Sequence, residues 1–338
     1  MKRTISFDDV LLVPQYSNIE SRTEEVDLTC RLEDKLIFEL PIISSPMDTV
    51  TETSMAMRMN DLGGLGIIHR YNTIDEQAEI IKAVSKTGYA AAAIGVSGDY
   101  IERAQSLVSA GADILCVDIA HGHHVLMRHA LKVLRNTFGS TVHLMAGNVA
   151  TLEAVNDLAD WGADSVRIGI GGGSICSTRI QTGHGMPTLQ SVIECAATDR
   201  DVTLIADGGI RNSGDICKAL AAGADFVMLG SMLSGTDESP GEKHYDSRTQ
   251  KYYKAYRGMA SVEAQIDWRG HTSSVEGVAS TVDYKGDVRS VLSNITTGVR
   301  SGLSYSGSRT ITEFQARSKM IQITTSGMAE SKTHILNT

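Results

Sequence analysis

Apolar and polar positions along the chain form eight strand-like runs separated by helical stretches. Each run is almost continuously apolar, as expected for strands that are buried on both faces of a parallel sheet. Amphipathic helical patterns, such as those at 123–138 and 151–161, lie between the runs. The eight runs lie within residues 40–47, 64–70, 89–97, 109–120, 141–148, 160–170, 202–209 and 220–231.

Eight parallel strands with intervening helices can close into a barrel or remain an open, doubly wound sheet, and the strand count favours the barrel. The sequence therefore predicts an α/β fold, a single (β/α)8 TIM-barrel domain over residues 1–338. Residues 236–285 are polar and lack helical periodicity, so we expect a long active-site insertion after the eighth strand. Helical periodicity returns at 286–303 and predicts the last barrel helix. Functional side chains should follow the strands, at the carboxyl end of the barrel.

The composition is that of a soluble protein, with 42% hydrophobic and 21% charged residues and no apolar run long enough to span a membrane. A formal charge of −9 argues against a nucleic-acid-binding surface but leaves room for a small anionic ligand. The N-terminus lacks a secretory signal pattern. Five cysteines without a CxxC pair suit a reducing compartment. We therefore expect a cytoplasmic protein with no nucleic-acid or membrane partner.

The segment GIGGGSICSTR (169–179) is the strongest chemical signal in the sequence. Three consecutive glycines after a strand let backbone N–H groups approach an anion, and they expose the residues that follow. A glycine-rich turn with one cysteine is by itself more often structural than catalytic. At the carboxyl end of a barrel strand, however, the thiol of Cys176 is well placed to act as a nucleophile.

Two further glycine loops, DGGIRNSGD (207–215) and MLGSMLSG (228–235), follow the seventh and eighth strands, where TIM barrels commonly bind phosphate. Tight structural turns are the alternative interpretation. Asp207 can accept hydrogen bonds from ribose hydroxyls. The segment DIAHGHH (118–124) has an acid and three histidines, but their spacing is unlike a metal site, and a dinucleotide contact by Asp118 fits better. A nicotinamide cofactor would be bound without a Rossmann domain, because no GxGxxG joins a strand to a helix.

Ten motifs follow one another along nearly the whole chain. They are FDDVLLVP (7–14), SPMDTVTE (45–52), GLGIIHR (64–70), AGNVAT (146–151), GSICSTR (173–179), ADGGIRNSGDI (206–216), MLGSML (228–233), ESPGE (238–242), YRGM (256–259) and YKG (284–286). In sequence and in order, these motifs closely resemble those of the inosine monophosphate dehydrogenase and guanosine monophosphate reductase family.

The resemblance implies a barrel enzyme that works at carbon 2 of a purine nucleoside monophosphate (GMP or IMP). Cys176 would form a covalent bond to that carbon, and Thr178 and Glu276 would be the other catalytic residues. By the same resemblance, the residues that contact phosphate, ribose and base would be Ser174, Gly209, Gly230, Ser231 and Tyr256 for the phosphate, Asp207 for the ribose, and Met47, Met259 and Gly277 for the base.

The resemblance also implies a nicotinamide cofactor, with Asp118, Ala120 and Gly122 as the cofactor-binding residues. It suggests a homotetramer, in which a monovalent cation such as K⁺ binds backbone carbonyls together with a neighbouring chain. The residues of that cation site would be Gly171, Gly173 and Cys176, with Glu330 and Ser331 of the neighbouring chain.

The family contains two reactions, and several features favour the reductase, which uses NADPH to convert GMP to IMP and ammonia. The CBS modules that dehydrogenases usually insert near 86–89 are absent. The stretch from Met259 to Glu276 is too short for the usual dehydrogenase flap. Within it, Arg269 is followed by glycine, where the water-activating Arg-Tyr pair of a dehydrogenase has tyrosine. SVIECA (191–196) resembles the reductase helix.

Other features favour an NAD-dependent IMP dehydrogenase, which oxidises IMP to XMP. They are VTE (50–52), HGH (121–123), YRGM (256–259), EGV (276–278) and the segment 327–331, which resembles the part of dehydrogenases that completes a potassium site. The choice between NADH and NADPH stays open at this point. A third hypothesis is a purine nucleotide-binding barrel without catalysis, against which the presence of all three catalytic residues speaks.

Overall fold

Strands and helices alternate along the chain, and the computed structural model describes residues 3–333. In chain order the strands are β1 (Val10–Leu12), β2 (Cys30–Glu33), β3 (Leu36–Phe38), β4 (Ile42–Ser44), β5 (Leu65–Ile68), β6 (Ala91–Ile94), β7 (Ile114–Asp118), β8 (His143–Val149), β9 (Ser165–Ile168), β10 (Thr203–Asp207), β11 (Phe226–Leu229), β12 (His244–Asp246), β13 (Lys251–Arg257), β14 (Ala279–Asp283) and β15 (Met320–Gln322).

The helices surround these strands, and a 3₁₀ turn at Phe7–Asp9 comes before β1. None of the helices in the described range is both long and apolar enough to cross a lipid bilayer. In chain order they are α1 (Arg22–Glu25), α2 (Thr53–Asp61), α3 (Ile74–Val84), α4 (Tyr100–Ser109), α5 (Val125–Phe138), α6 (Leu152–Asp160), α7 (Thr178–Thr182), α8 (Thr188–Cys195), α9 (Ser213–Ala221), α10 (Val262–Arg269), α11 (Val288–Tyr305), α12 (Ile311–Arg317) and α13 (Thr325–Glu330).

Strands β4 to β11 form a closed barrel in which each strand pairs in parallel with the next, and β11 returns to β4. This arrangement confirms the predicted (β/α)8 fold. Strands β5, β6, β9 and β11 are buried at every position. The near-continuous apolar runs therefore reflect burial against the barrel interior on one face and against the surrounding helices on the other.

The hairpin of β2 and β3 packs against the amino ends of the barrel strands. The Phe38 ring meets Phe226 edge-on, with 5.7 Å between the ring centroids. The hydroxyl of Thr203, the first residue of β10, donates a hydrogen bond to the Leu32 carbonyl at 2.8 Å. These contacts close the amino end of the barrel, so the opposite, carboxyl end is the one at which the loops are free to build a site.

The segment between β11 and α11 carries regular structure that the sequence pattern did not indicate. Strands β12, β13 and β14 form an antiparallel sheet, and α10 lies between β13 and β14. The Ser261 hydroxyl caps α10 by accepting from the Ala264 N–H at 3.2 Å, and Gly270 ends the helix with a φ of 73°. We expected no helix here, because only Ala264 and Gln265 of α10 are buried and its apolar periodicity is weak. The expected last barrel helix is present as α11.

Replacing Phe226 with alanine tests the packing at the amino end of the barrel. The Phe226 side chain is fully buried, so Phe226→Ala should lower the free energy of unfolding by about 3–5 kcal/mol through lost burial and the cavity left behind. Urea unfolding followed by circular dichroism measures the loss. Tyr16→Ala is the control, because Tyr16 is 84% exposed, and it should change stability by less than about 0.5 kcal/mol. Equal losses in the two variants would contradict this account of the core.

Candidate active site

The carboxyl ends of the barrel strands open into a cavity of about 320 Å³, a size within the range of small-ligand sites. Loops after six of the barrel strands contribute to it, together with Asn148 inside β8 and the insertion that follows β11. Most residues singled out in the sequence line this one cavity, namely Met47, Asp118, Ala120, Gly171, Gly173, Ser174, Cys176, Thr178, Asp207, Gly209, Gly230, Ser231, Tyr256, Met259, Glu276 and Gly277.

The loop after β9 packs closely against the end of β10 because of its glycines. Gly169 has a φ of 149°, and a β carbon built there would lie 1.9 Å from the Asp207 carbonyl oxygen. Gly171 has a φ of 77°, and a β carbon there would lie 2.5 Å from the Arg179 side chain. Neither position accommodates a larger residue without moving the loop. The glycines thus let the loop place Cys176 in the lining of the cavity.

The cysteine loop is anchored on the insertion by backbone hydrogen bonds. The Ser177 N–H donates to the Glu276 carbonyl at 2.9 Å, and the Val278 N–H donates to the Ile175 carbonyl at 3.0 Å. Cys176 and Gly277 consequently face each other as an antiparallel bridge. Two segments that are far apart in sequence are therefore fixed in register across the cavity.

Three side chains at this bridge form one hydrogen-bonded chain. The Cys176 thiol donates to the Thr178 hydroxyl oxygen at 3.2 Å, and the Thr178 hydroxyl donates to Glu276 Oε2 at 2.7 Å. The Ser274 hydroxyl donates to the other carboxylate oxygen, Oε1, at 3.0 Å. Because each donor meets one acceptor, a proton leaving the thiol has a direct path through Thr178 to the carboxylate of Glu276.

Cys176 also differs from the other cysteines in its exposure. All five cysteines are unpaired, and Cys176 is partly exposed whereas the other four are buried. Burial raises the pKa of Cys116 to about 11 and those of Cys195 and Cys217 to about 12, and it raises the pKa of Cys30 even further. Those thiols stay protonated and inert, as packed cysteines do.

The hydroxyl groups of Ser174, Ser231 and Tyr256 form a cluster in the cavity lining. The Ser174 Oγ lies 3.5 Å from the Tyr256 Oη, and Ser231 also lies beside that phenol oxygen. Burial raises the pKa of Tyr256, so its hydroxyl remains a neutral donor, although hydrogen bonds from Ser174 and Ser231 partly oppose the shift. A β carbon at Gly230 would lie 3.0 Å from the same oxygen. Neutral donors around a glycine turn are suited to bind a phosphate.

A buried arginine links two carboxylates at the floor of the cavity. Arg167 Nη1 donates to Asp118 Oδ1 at 2.6 Å, and its Nη2 donates to Asp207 Oδ2 at 2.9 Å. Asn148 Nδ2 also donates to Asp207 Oδ2, at 2.8 Å, and no described residue hydrogen-bonds Oδ1 of Asp207. Burial alone would lower the pKa of Arg167, but the neighbouring Cys116 and the two aspartates hold that pKa well above its usual value. One oxygen of Asp207 thus stays available to a ligand hydroxyl.

The predicted cofactor residues are only partly brought together. Asp118 and Ala120 line the cavity, whereas Gly122 lies outside its lining. The Gly122 N–H donates to the Asn148 carbonyl at 2.7 Å, and a β carbon at Gly122 would lie 3.0 Å from that oxygen, so this glycine serves close packing on β8. Arg70 also lines the cavity. Its buried Nε lies 3.9 Å from Asp118 and forms no hydrogen bond with any residue in the range 3–333.

The residues of the predicted cation site fall into two groups within one chain. Gly171, Gly173 and Cys176 lie in the cysteine loop, and the Gly173 carbonyl accepts from the Cys176 N–H at 3.1 Å. Glu330 and Ser331 lie at the end of α13 and do not line the cavity, and the Ser331 hydroxyl donates to a carbonyl of its own helix. The cation site therefore stays a prediction that requires a second chain.

Several side chains of the site were not singled out from the sequence. Arg167 and Asn148 arrange Asp207, and Ser274 orients Glu276. Tyr71 lines the cavity and donates from its hydroxyl to the Met259 carbonyl at 2.7 Å. Arg167 carried a usable signal, because it is a charged residue in an otherwise apolar strand. Ser274 carried none, since it is one of many polar residues in the insertion.

Comparison with known proteins gives the same family as the motifs. A family model described as the IMP dehydrogenase / GMP reductase domain matches residues 4–334. The chain belongs to this family. Members of the IMP dehydrogenase / GMP reductase family are oxidoreductases that use nicotinamide cofactors, so the cavity described above lies where an enzyme of this family is expected to work.

Members of the family named for both reactions are similar to this chain. The inosine-5′-monophosphate dehydrogenase of Cryptosporidium parvum is 39% identical, over 98% of this chain and 94% of its own length. The GMP reductase of Leishmania major is 32% identical, over 98% of this chain and 96% of its own length. A crystal structure of a cysteine-to-alanine variant of Trypanosoma brucei GMP reductase, in complex with guanosine 5′-monophosphate, superposes with a TM-score of 0.93 at 31% identity. That match covers 99% of this chain and 98% of the other.

Replacing Arg167 with methionine tests the buried ion group. Arg167→Met should lower the free energy of unfolding by about 3–5 kcal/mol, because it leaves the Asp118 and Asp207 carboxylates without their shared cation. Urea unfolding at neutral pH measures this loss. Arg200→Met is the matched control, since Arg200 also bridges two aspartates but at the surface, and its loss should be much smaller. A loss as large in Arg200→Met would contradict the role assigned to burial.

Proposed function

We propose that the protein is an NADPH-dependent GMP reductase, which converts GMP to IMP and ammonia. The observation that carries the proposal is the hydrogen-bonded chain of Cys176, Thr178 and Glu276 inside the cavity, combined with the position of Arg269 outside it. The hydrogen-bonded side chains supply a nucleophile and a proton path, which both family reactions need. Arg269 is the candidate for the water-activating base that only the dehydrogenase needs.

The cavity offers a contact for each part of a purine nucleoside monophosphate. The phosphate is bound by the hydroxyl cluster and glycine turns, the ribose by the open Oδ1 of Asp207, and the base by the side chains and backbone between the two methionines. In that order, the binding residues are Ser174, Gly209, Gly230, Ser231 and Tyr256, then Asp207, then Met47, Met259 and Gly277. The T. brucei structure supports this assignment, since its chain has the same fold and contains GMP.

The proposed reaction begins when the Cys176 sulfur adds to carbon 2 of the guanine ring. The thiol proton passes through Thr178 to Glu276, and the same pair protonates the amino group so that it leaves as ammonia. The nicotinamide cofactor, when bound, supplies a hydride to carbon 2. The carbon–sulfur bond then breaks and returns the thiolate. In total, GMP, NADPH and two protons give IMP, NADP⁺ and ammonium.

The contacts of Arg269 support the reductase. Its Nη2 donates to the Ser273 hydroxyl at 2.7 Å and to Gln265 Oε1, and its Nε donates to the His271 carbonyl at 3.3 Å. All three partners belong to the insertion, and none of them lines the cavity. Bonded in this way, the Arg269 guanidinium is held by the insertion and does not line the cavity. The reductase needs no activated water, because a hydride rather than water adds to carbon 2 once ammonia has left.

The main alternative is an NAD-dependent IMP dehydrogenase. One observation favours it: Arg70 lines the cavity beside Tyr71, and its buried Nε is without a hydrogen bond to any described residue, so it has a donor free to orient a water. Dehydrogenases from C. parvum and Nitrosopumilus maritimus, 39% and 35% identical, also match the chain over nearly its full length. A nucleotide-binding barrel without catalysis is the remaining alternative, and the intact proton path from Cys176 to Glu276 argues against it.

The cofactor part of the proposal rests on the side of the cavity formed by Asp118, Ala120 and Arg70. The unbonded Arg70 Nε is a buried cationic donor, which fits the phosphate groups of a dinucleotide. Asp118 is held by Arg167, so its Oδ2 faces Arg70 and the cavity. The proposal also includes a K⁺ ion at Gly171, Gly173 and Cys176. Glu330 and Ser331, which are expected to complete that ion site, lie elsewhere in the same chain, so a neighbouring chain of a homotetramer would supply them.

The reaction is tested by mixing the protein with GMP and NADPH and following absorbance at 340 nm. We expect NADPH oxidation that depends on GMP and releases ammonia and IMP in equal amounts. IMP with NAD and K⁺ should give no increase at 340 nm. No oxidation of NADPH at any salt concentration, together with IMP-dependent reduction of NAD, would instead establish the dehydrogenase. Arg269→Ala is the control, and it should leave GMP reduction within about twofold of the wild type.

The carboxylate of Glu276 can be tested separately from binding. Glu276→Gln keeps an oxygen that accepts from Thr178 but removes the proton-accepting group, so kcat should fall about 10²–10⁴-fold while KM for GMP changes little. Steady-state kinetics at several pH values measures both constants. Glu263→Gln, on the exposed first turn of α10, is the matched control and should leave kcat unchanged. A variant of Glu276 with normal kcat would rule out this proton path.

A further inference from the structure

Two of the proposed phosphate contacts, Gly230 and Ser231, belong to a hydrogen-bonded turn. Gly230 begins the turn, and its carbonyl accepts hydrogen bonds from the N–H groups of Leu233 and Ser234, each at 3.0 Å. Ser231 has two roles in this geometry. Its hydroxyl and N–H lie beside Tyr256 in the cavity, while its carbonyl points to a different partner, the ammonium group of Lys285.

Lys285 gathers three carbonyl oxygens of this turn. Its Nζ donates to the carbonyls of Ser231, Met232 and Ser234, the latter two at 3.3 and 2.8 Å. Carbonyl dipoles that converge on one point repel one another unless a cation lies between them. An ammonium has three donors and no acceptor, so it can serve all three oxygens at once. The ammonium therefore stabilises the turn together with the Ser234 hydroxyl, which donates to the Ser231 carbonyl at 3.0 Å.

The rest of the YKG motif holds the continuation of the same segment. The Tyr284 hydroxyl donates to Asp237 Oδ1 at 2.6 Å. The carbonyl of Gly286 accepts from the Asp237 N–H at 2.9 Å. Neither contact reaches the cavity, and the motif had no role in the proposed reaction. Its three residues nevertheless fasten the chain immediately beyond the phosphate contacts.

We infer that Lys285 is a positioning residue for the nucleotide phosphate. It does not line the cavity, but it fixes the carbonyl side of the turn whose other side presents Gly230 and Ser231. The inference rests on the proposed function, since it takes the phosphate site from it. A role of this kind is selective, because removing the ammonium weakens the binding of ligands that carry a 5′-phosphate and leaves the binding of ligands without one unchanged.

A second lysine in the insertion provides a matched comparison. Lys254 is buried, and its Nζ donates to the carbonyls of Thr236 at 3.0 Å and Ser239 at 2.5 Å. Those carbonyls lie beyond the turn. The Lys254 ammonium thus also donates hydrogen bonds to backbone carbonyls, but it does not contact the residues that face the proposed phosphate site. Loss of Lys254 should affect the stability of the insertion and leave phosphate selectivity unchanged.

The experiment measures the affinities of GMP and guanosine for the wild type and for Lys285→Met, Lys285→Arg and Lys254→Met. Lys285→Met should lower the affinity for GMP by about tenfold, the scale of a lost set of charge-assisted hydrogen bonds. The same variant should change the affinity for guanosine by less than about twofold. Lys254→Met should keep the wild-type ratio of the two affinities. Hydrogen exchange at the amides of Leu233 and Ser234 should become faster in Lys285→Met, because the turn loosens.

The outcomes separate this inference from the proposed function. A wild-type protein that binds no purine monophosphate would contradict the proposed function itself. Wild-type binding with unchanged GMP affinity in Lys285→Met overturns the role of Lys285 alone, and so does an equal loss of GMP and guanosine. If Lys285→Met does not fold, Lys285→Arg decides, since its planar guanidinium cannot direct donors at three converging carbonyls. A selective loss of GMP affinity in Lys285→Arg supports the role, and wild-type affinity contradicts it.

Discussion

The pairing of the cysteine loop with the strand-like segment around Gly277 is the constraint on which the site depends. Two backbone hydrogen bonds set the register, and the register decides which side chains face the cavity. A shift by one residue would turn Glu276 away from Thr178, because successive side chains of an extended segment point to opposite faces. The barrel places Cys176, but the insertion after the barrel completes its chemistry.

The floor of the cavity obeys a second constraint, which is charge. A buried guanidinium is stable in the barrel only because Asp118 and Asp207 neutralise it on two sides. The same arrangement prevents the two carboxylates from repelling each other, and it fixes Asp207 with one oxygen turned toward the cavity. Arg167 therefore connects the side of the cavity assigned to the nucleotide with the side assigned to the cofactor. Neither aspartate is positioned independently of the other.

The barrel and the end at which the site lies could be predicted from the sequence because both depend on local patterns, whereas most individual site residues, Glu276 among them, came from the family resemblance. The eight buried runs, such as the one that contains Ala91–Ile94, are long and apolar enough to be recognised, and parallel strands place their following loops at one end. The helix α10 could not be predicted, because its buried face is narrow. Its capping residues Ser261 and Gly270 are not enough to indicate a helix without apolar periodicity. The role of Ser274 could not be predicted either. It depends on a long-range pairing that brings Glu276 to the cysteine loop, which no local pattern reveals.

Chain length proves to be a poor guide to which of the two family reactions occurs. The alignment with the L. major GMP reductase extends over 477 residues, and the alignment with the C. parvum dehydrogenase over only 386. The longer of the two alignments is thus with a reductase, so the presence of additional segments does not indicate which reaction a member is named for. The anchoring of the short segment 270–275 is more informative. At one end, Trp268 stacks on Tyr71 with 5.8 Å between ring centroids, and Arg257 pairs with Asp267. At the other end, residue 276 is paired with the cysteine loop. Arg269, the candidate base, is the last residue of α10 and adjoins this link. Because the six-residue link is held at both ends, Arg269 has little freedom to swing over the proposed purine site, and the proposed reductase reaction needs no such movement.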